Sequence, residues 1–255
     1  MRIIAIANQK GGVGKTTTTV NLAAGLVSLG KRVLCLDFDP QCHLAKYLGH
    51  KFDDGLTITD YIFNRASYLP LPPTDGLVRR SNSGIDFIPS SLRLSRAETV
   101  LAQAMFREQV LRDILEVIVP EGYDYLLIDC NPSMGILLTN ALVADRVLIP
   151  VQTEEFSVDG LEDMMELIQM VKANINPHLG IVGLLPTLMT NTKDSRTVAA
   201  WLKQEFTGLV FDTGIGRYAD APRSVKAKKP IVGGKGKLAE QYMAATTELL
   251  RRLEV

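Results

Sequence analysis

Apolar and polar positions fall into alternating blocks along this chain. Apolar runs of strand length recur at Arg2–Ala7, Arg32–Asp37, Gly84–Pro89, Tyr123–Asp129, Arg146–Val151 and Gly180–Leu185, with a weaker one near Leu209–Asp212. Between them, apolar residues return with helical spacing over Lys15–Leu29, Ser95–Val119, Gly135–Ala144, Ser157–Ile175, Ser195–Phe206 and Lys237–Leu253. Runs such as Tyr125-Leu126-Leu127-Ile128 and Val147-Leu148-Ile149 lack polar alternation, which suits strands covered on both faces of a parallel sheet. Strand–helix alternation with short connections predicts an α/β fold: a doubly wound, mostly parallel sheet flanked by helices, with right-handed crossovers. Tyr68–Arg80 and Thr213–Lys235 read as loops, from their Pro, Gly and charged content. No repeat or composition shift divides the chain, so residues 1–255 read as a single domain.

In such sheets ligands bind at the carboxyl ends of the strands. The first strand runs into Lys10-Gly11-Gly12-Val13-Gly14-Lys15-Thr16-Thr17, and a helix follows. Strand, glycine-rich turn and helix are the setting of a phosphate-binding P-loop. Glycines let backbone N–H groups curl around an anion, and the helix N-terminus adds partial positive charge. Lys15 is placed to reach the outer phosphates, and the Thr16 hydroxyl to sit on Mg²⁺. The usual first glycine of the pattern is absent; Lys10 fronts the loop instead. A lysine there has little room to fold back onto its own phosphates, and is placed to reach a nucleotide held by a second copy of the chain.

Two other strand ends carry carboxylates. Asp129 ends one apolar run, where it can hold Mg²⁺ directly or through water. Asp37-Phe38-Asp39-Pro40-Gln41 ends another, and alternation sends Asp37 and Asp39 to one side. One can support the metal while the other orients or deprotonates an attacking water. Phosphoryl transfer asks for placement and charge stabilisation rather than covalent chemistry.

Composition narrows the setting. Hydrophobic content of 46% and charged content of 22% over 255 residues are ordinary for a globular domain with a sizeable core. No run is long enough to span a bilayer, and Met1 leads directly into the first strand, which leaves no room for a signal peptide. Cys35, Cys42 and Cys130 have neither metal nor disulfide spacing, and Cys35 and Cys130 read as core residues. His43, His50 and His178 are scattered and read as surface residues. Net charge is zero, yet from Arg217 onward nine cationic residues face four acids. A basic end on a mildly acidic body suggests a surface facing something anionic.

The chain resembles the ParA-type partition ATPases, of the wider ParA/MinD class of dimerising P-loop ATPases. The matching residues are Lys10–Thr18, Leu36–Gln41, Tyr125–Asn140, Val147–Gly160 and the Ala221-Pro222…Lys229-Pro230-Ile231 region, in family order over nearly the whole length. The resemblance implies ATP and Mg²⁺ in the loop Gly11, Gly12, Val13, Gly14, Lys15, Thr16 and Thr17, with Thr16, Asp39 and Asp129 toward the metal. It implies a homodimer closed over two ATP molecules, with Lys10 of each copy on the other's phosphates. Asp39 then matches the water-activating aspartate, with Asp37 beside it, and Asn131–Thr139 the second switch. It further implies non-specific DNA binding by the dimer, a ParB-like partner that stimulates hydrolysis, no membrane association, and a cytoplasmic, nucleoid-associated location.

Two departures stand out. Asn131 replaces the first of two prolines that the family shows after the Asp-Cys pair, and Gly214 replaces a family arginine before Arg217. Extra basic residues follow, so the expected DNA contacts are Arg217, Arg223, Lys226, Lys228 and Lys229. Glu154 and Glu155 fall near the expected dimer face. The alternative is a MinD-like membrane-cycling ATPase, which needs an amphipathic C-terminal helix with bulky apolar residues; Leu249–Val255 has neither Phe nor Trp. An iron–sulfur reductase on the same fold would need cluster-ligating cysteines, and a small-metabolite ligase would need further polar motifs; neither is visible.

Overall fold

The computed structural model describes residues 1–51, 55–154 and 159–254. Seven strands form one sheet: β1 (Arg2–Ile6), β2 (Val33–Phe38), β3 (Arg79–Arg80), β4 (Asp86–Ile88), β5 (Tyr125–Cys130), β6 (Arg146–Gln152) and β7 (Gly180–Thr187). Their order across the sheet is β3-β4-β2-β5-β1-β6-β7, parallel except for the antiparallel edge pair β3–β4. The helices are α1 (Lys15–Ser28), α2 (His43–Tyr47), α3 (Ile58–Ala66), α4 (Ala97–Leu101), α5 (Val110–Ile118), α6 (Ile136–Ala141), α7 (Asp159–Asn174), α8 (Lys193–Glu205), α9 (Asp220–Ala227) and α10 (Lys237–Leu253).

The strand sequences explain the two-layer cover. Successive side chains point to opposite faces. Ile4 and Ile6 of β1, Val33 and Cys35 of β2 and Leu127 of β5 pack in one core with α1, α2 and α10. Ala5, Leu34, Leu36, Phe38, Leu126 and Ile128 pack in the other, under α3, α5, α6, α7 and α8. All six residues of β2 are buried, which is why no polar alternation marks it. The helices α1 and α10 approach closely at Gly25 of α1: a Cβ there would stand 2.3 Å from Thr246 Oγ1 of α10. At the far edge Arg252 of α10 donates to the carbonyls of Val182, Gly208, Leu209 and Val210, stacks over Phe211 at 4.4 Å, and pairs with Glu248 at 2.9 Å.

The structure corrects several expectations. The periodic stretch Ser95–Val119 is not one helix but a 3₁₀ turn (Leu92–Arg96), α4 and α5. Phe106 adopts φ 52°, and the buried Asn140 bridges the break, accepting from Leu111 N at 2.9 Å and donating to Arg107 O at 2.8 Å. The expected loop Tyr68–Arg80 ends in β3, and the expected loop Thr213–Lys235 contains α9. Near Leu209–Asp212 there is a single bridge, Leu184 to Val210, rather than a strand. The expected helix Ser157–Ile175 corresponds to α7, with residues 157 and 158 outside the described set.

Candidate functional site

The loop between β1 and α1 is fixed by its own side chains. Asn8, buried, donates to Pro150 O at 2.7 Å and accepts from Lys10 N at 2.9 Å. Gln9 donates to Gly160 O and Asp163 Oδ2 of α7. Thr187, at the end of β7, donates to Val13 O at 2.8 Å. Gly12 and Gly14 hold φ of 77° and 89°, which side-chain-bearing residues adopt only with strain. Gly14 is the N-cap of α1, and no side chain caps the helix, so its first N–H groups face the loop's concavity.

Lys15 is buried, and its Nζ donates to Asn8 O and Lys10 O, each at 2.9 Å. Burial lowers its pKa, and the nearby Asp129 carboxylate works against that shift. The parallel register sets Asp129 of β5 beside Ile6 of β1 on one side and Asp37 of β2 on the other. Asp129 Oδ2 accepts from Thr16 Oγ1 at 2.7 Å, and Thr19 Oγ1 stands 3.4 Å from Oδ1. Burial raises the Asp129 pKa to about 7, while the Thr16 hydroxyl opposes the rise. Asp37 is fully buried, and burial followed by the charge of Asp129 raises its pKa as well.

Asp37 and Asp39 separate in position. Asp37 accepts from Ala45 N at 2.8 Å and so anchors the short α2; it does not line the loop cavity. Asp39 does line that cavity, and its Oδ1 accepts from Gln41 N at 2.8 Å. The cavity encloses about 390 Å³ between Gly11, Gly12, Gly14, Lys15, Thr16 and Thr17 on one wall and Asp39, Gln41, His43 and Pro132 on the other. His43 is exposed, as expected, yet belongs to this wall. No Cβ contact lies within 4 Å of Gly11, Gly12 or Gly14, so the space a side chain there would take is open to a ligand. Lys10 is half-buried and is not part of the wall.

A second cavity of about 380 Å³ shares Gly14 and Thr17 with the first. Its lining is mostly apolar and includes Leu188, Ile215, Tyr218, Pro222, Leu238 and Tyr242. A polar cavity on an uncapped helix end, joined to an apolar one, suits a nucleotide: phosphates on the first, base and sugar on the second. These apolar residues come from three distant chain segments, and no sequence signal marked them. Arg217 also lines this second cavity and stands 3.9 Å from Glu154. Glu155 lies outside the described residues.

The remaining basic candidates sit together. Arg223 and Lys226 are on α9, Lys228 ends it with φ 54°, and Lys229 follows; all four are exposed. No residue of α9 is buried. Ser224 Oγ lies 2.5 Å from Tyr47 Oη of α2, and the stem of Lys228 passes over Gly49. Beyond α9, Ile231 N and Val232 N donate to Asn21 Oδ1 of α1, whose Nδ2 donates to Thr17 O. Asn131 is buried, its Nδ2 bonded to Ser133 Oγ at 2.6 Å and its Oδ1 without a hydrogen bond among the described residues. Among those residues, no helix is long and apolar enough to cross a membrane.

Comparison with known proteins agrees with this geometry. The AAA domain family matches residues 1–181. The chain is 37% identical over 258 residues to the chromosome partitioning protein ParA of Caulobacter vibrioides, covering 99% of this chain and 95% of that protein. Among solved structures, the ATP complex of Cyanothece McdA superposes with a TM-score of 0.85 at 26% identity, covering 98% of this chain and 96% of that one. Cobyrinic acid a,c-diamide synthase of Mycobacterium smegmatis, with ADP and magnesium, gives 0.82 at 31% identity, covering 100% and 96%. A nearly end-to-end likeness to a chromosome partitioning protein, on a sheet whose strand ends meet at a phosphate loop, leaves one conclusion: the chain belongs to the ParA-type partition ATPases, P-loop proteins of the doubly wound α/β class.

Proposed function

We propose that this chain binds and hydrolyses ATP with Mg²⁺ as a dimer, that the dimer holds DNA without sequence preference, and that it positions cargo through that cycle. The observation that carries this reading is the set around Lys15. An ammonium held by two main-chain carbonyls, next to uncapped helix amides, is a site where phosphate oxygens replace the carbonyls with a gain in charge pairing. The donors around it fit Mg²⁺, since a hydroxyl and carboxylates are hard oxygen ligands and a nucleotide supplies the rest. The metal would be held by Thr16, with Asp129 and Asp39 nearby, and supplies charge neutralisation on the phosphates.

Asp39, on the wall opposite the loop, orients the attacking water or takes its proton. Asp37 holds α2 and thereby the turn that carries Asp39; it acts as a positioning residue. Lys10 does not line its own cavity, which favours action on the nucleotide of a second copy, offsetting charge on the transferring phosphoryl. Arg217 we assign to the nucleotide, and Arg223, Lys226, Lys228 and Lys229 to DNA. Turnover is slow in isolation and is stimulated by a ParB-like partner, on the nucleoid.

Two rivals weaken on specific observations. A membrane-cycling role needs a free apolar face at the C-terminus, but Leu249 and Leu253 of α10 are buried against the sheet. A metabolite ligase, the activity named for the Mycobacterium smegmatis neighbour, needs side chains that bind an acceptor acid. The loop cavity's described wall opposite the glycines offers Asp39, Gln41, His43 and Pro132, with no Lys or Arg among them.

The deciding experiment is sizing with ATP, ADP and a non-hydrolysable analogue, with and without duplex DNA. A dimer with ATP or the analogue, a monomer with ADP, and co-elution of only the dimer with DNA are expected. A monomer in every nucleotide state overturns the reading. DNA that leaves turnover unchanged, together with an acceptor acid that raises it, returns the ligase.

A further inference from the structure

We propose that Lys51 and Arg80, on the rim of a cavity at the β3 edge of the sheet, form a second cationic surface that continues the DNA-binding face of α9 along the phosphate backbone. This inference rests on the DNA-binding reading above and assigns residues that the sequence did not single out. The cavity encloses about 420 Å³, and its polar lining is His50, Lys51, Arg79, Arg80, Ser81 and Asn82.

Continuity with α9 comes from α2 and the turn after it. Gly49 forms part of the cavity wall, and a Cβ on Gly49 would lie 3.7 Å from Lys228 Cδ. Tyr47, two residues earlier, meets Ser224 of α9 at 2.5 Å. The aliphatic stem of Lys228 therefore lies against the turn that links α9 to the cavity wall. Arg80 is exposed over 73% of its side chain, and the Asp86 carboxylate stands 3.6 Å from its Nε. Asp86 is also engaged by the Tyr123 hydroxyl at 3.0 Å. An exposed pair of this kind contributes little, so the guanidinium can turn to a phosphate, for which its planar fork of donors is well matched.

The charge of the whole molecule strengthens the case. Net charge is zero, so attraction to DNA cannot come from overall charge and must come from local concentrations of cations. A two-residue edge strand bearing two arginines has a simpler explanation as well: edge charges discourage pairing with another sheet. The two explanations differ in what they predict for DNA.

The test uses the full chain with ATP and measures fluorescence anisotropy on several unrelated duplexes across a salt series. Lys51→Gln with Arg80→Gln is compared with Lys172→Gln plus Lys203→Gln, which removes the same charge from α7 and α8. Thermal melting checks that each variant is folded. The first pair is expected to weaken binding about tenfold on every duplex and to flatten the log–log salt slope by about 0.9 for each phosphate no longer neutralised. The second pair is expected to match the unaltered chain. Equal behaviour of the two pairs overturns the inference, as does unchanged affinity with aggregation of the first pair, which would leave edge protection as the arginines' task. If the unaltered chain is not retained on DNA in any nucleotide state, the DNA-binding reading falls and this inference with it.

Discussion

Lys15 concentrates the chemistry at the scale of a single side chain. Replacing it with Ala removes the ammonium that two carbonyls now hold and should lower ATP affinity about a hundredfold, roughly 3 kcal/mol. Calorimetric titration checks this, and near-normal affinity counts against the site. Asp129 gives a pH signature. Its carboxyl titrates near 3.8 when unfolded and near 7 in the fold, with burial as the main cause. Between those values the native state binds more protons than the unfolded chain, so stability falls as pH rises and levels off above about 7. Without nucleotide or magnesium, melting should therefore occur at lower temperature at about pH 8 than at about pH 5. Asp129→Asn should reduce that slope by up to one proton, at most about 1.4 kcal/mol per pH unit. An unchanged slope would place the titrating group elsewhere. Asp37 shows where reading by residue type stops: its position beside Asp129 follows from strand register, but its bond to Ala45 depends on a short helix with no periodic signal.

Long elements that bury apolar stripes could be read from the sequence, whereas the short α2 and α3 were missed although Leu44, Tyr47, Ile58, Tyr61 and Ile62 are buried. The runs that became β1, β2, β5, β6 and β7 are buried strands and were visible as apolar blocks. α9 buries nothing, and β3 is two arginines long, so neither leaves an apolar trace. The stretch Ser95–Val119 keeps helical spacing across its break because both pieces pack on the same core; Asn140, remote in sequence, organises the interruption. The close approach of α1 and α10 yields a sharper expectation. Gly25→Ala must displace Thr246 and should cost about 1–3 kcal/mol, read as a lowered melting temperature. Adding Thr246→Ala should recover part of that stability, giving a coupling absent between distant sites. Arg252→Ala removes donors from four carbonyls and leaves the buried Glu248 carboxylate without its cation, held only by the N–H groups of Asp212 and Thr213, for an expected cost of about 2–4 kcal/mol.

For the whole molecule the expectations concern assembly. Lys10→Ala should keep ATP binding and lose dimer-dependent turnover; unchanged turnover removes the trans role. Asp39→Ala should accumulate a dimer with ATP, visible on sizing, because the nucleotide at the interface is no longer consumed. Reversing Lys226, Lys228 and Lys229 to Glu should abolish retention on DNA while the dimer still forms. The nucleotide loop was legible because one contiguous string carries it, and the family because several such strings follow in order along the chain. The apolar cavity beside it was not, since it exists only where the loop meets three later segments.

The central place of β1 has a consequence for how the chain is made. Its neighbours are β5 and β6, and Asn8 closes onto Pro150, so β1 has no complete set of partners until residue 152 has been added. At about 5–20 residues per second that wait is roughly 7–30 s. During synthesis the glycine loop is therefore sequence without shape, and a nascent chain halted before β6 should be open to proteases and unable to hold nucleotide.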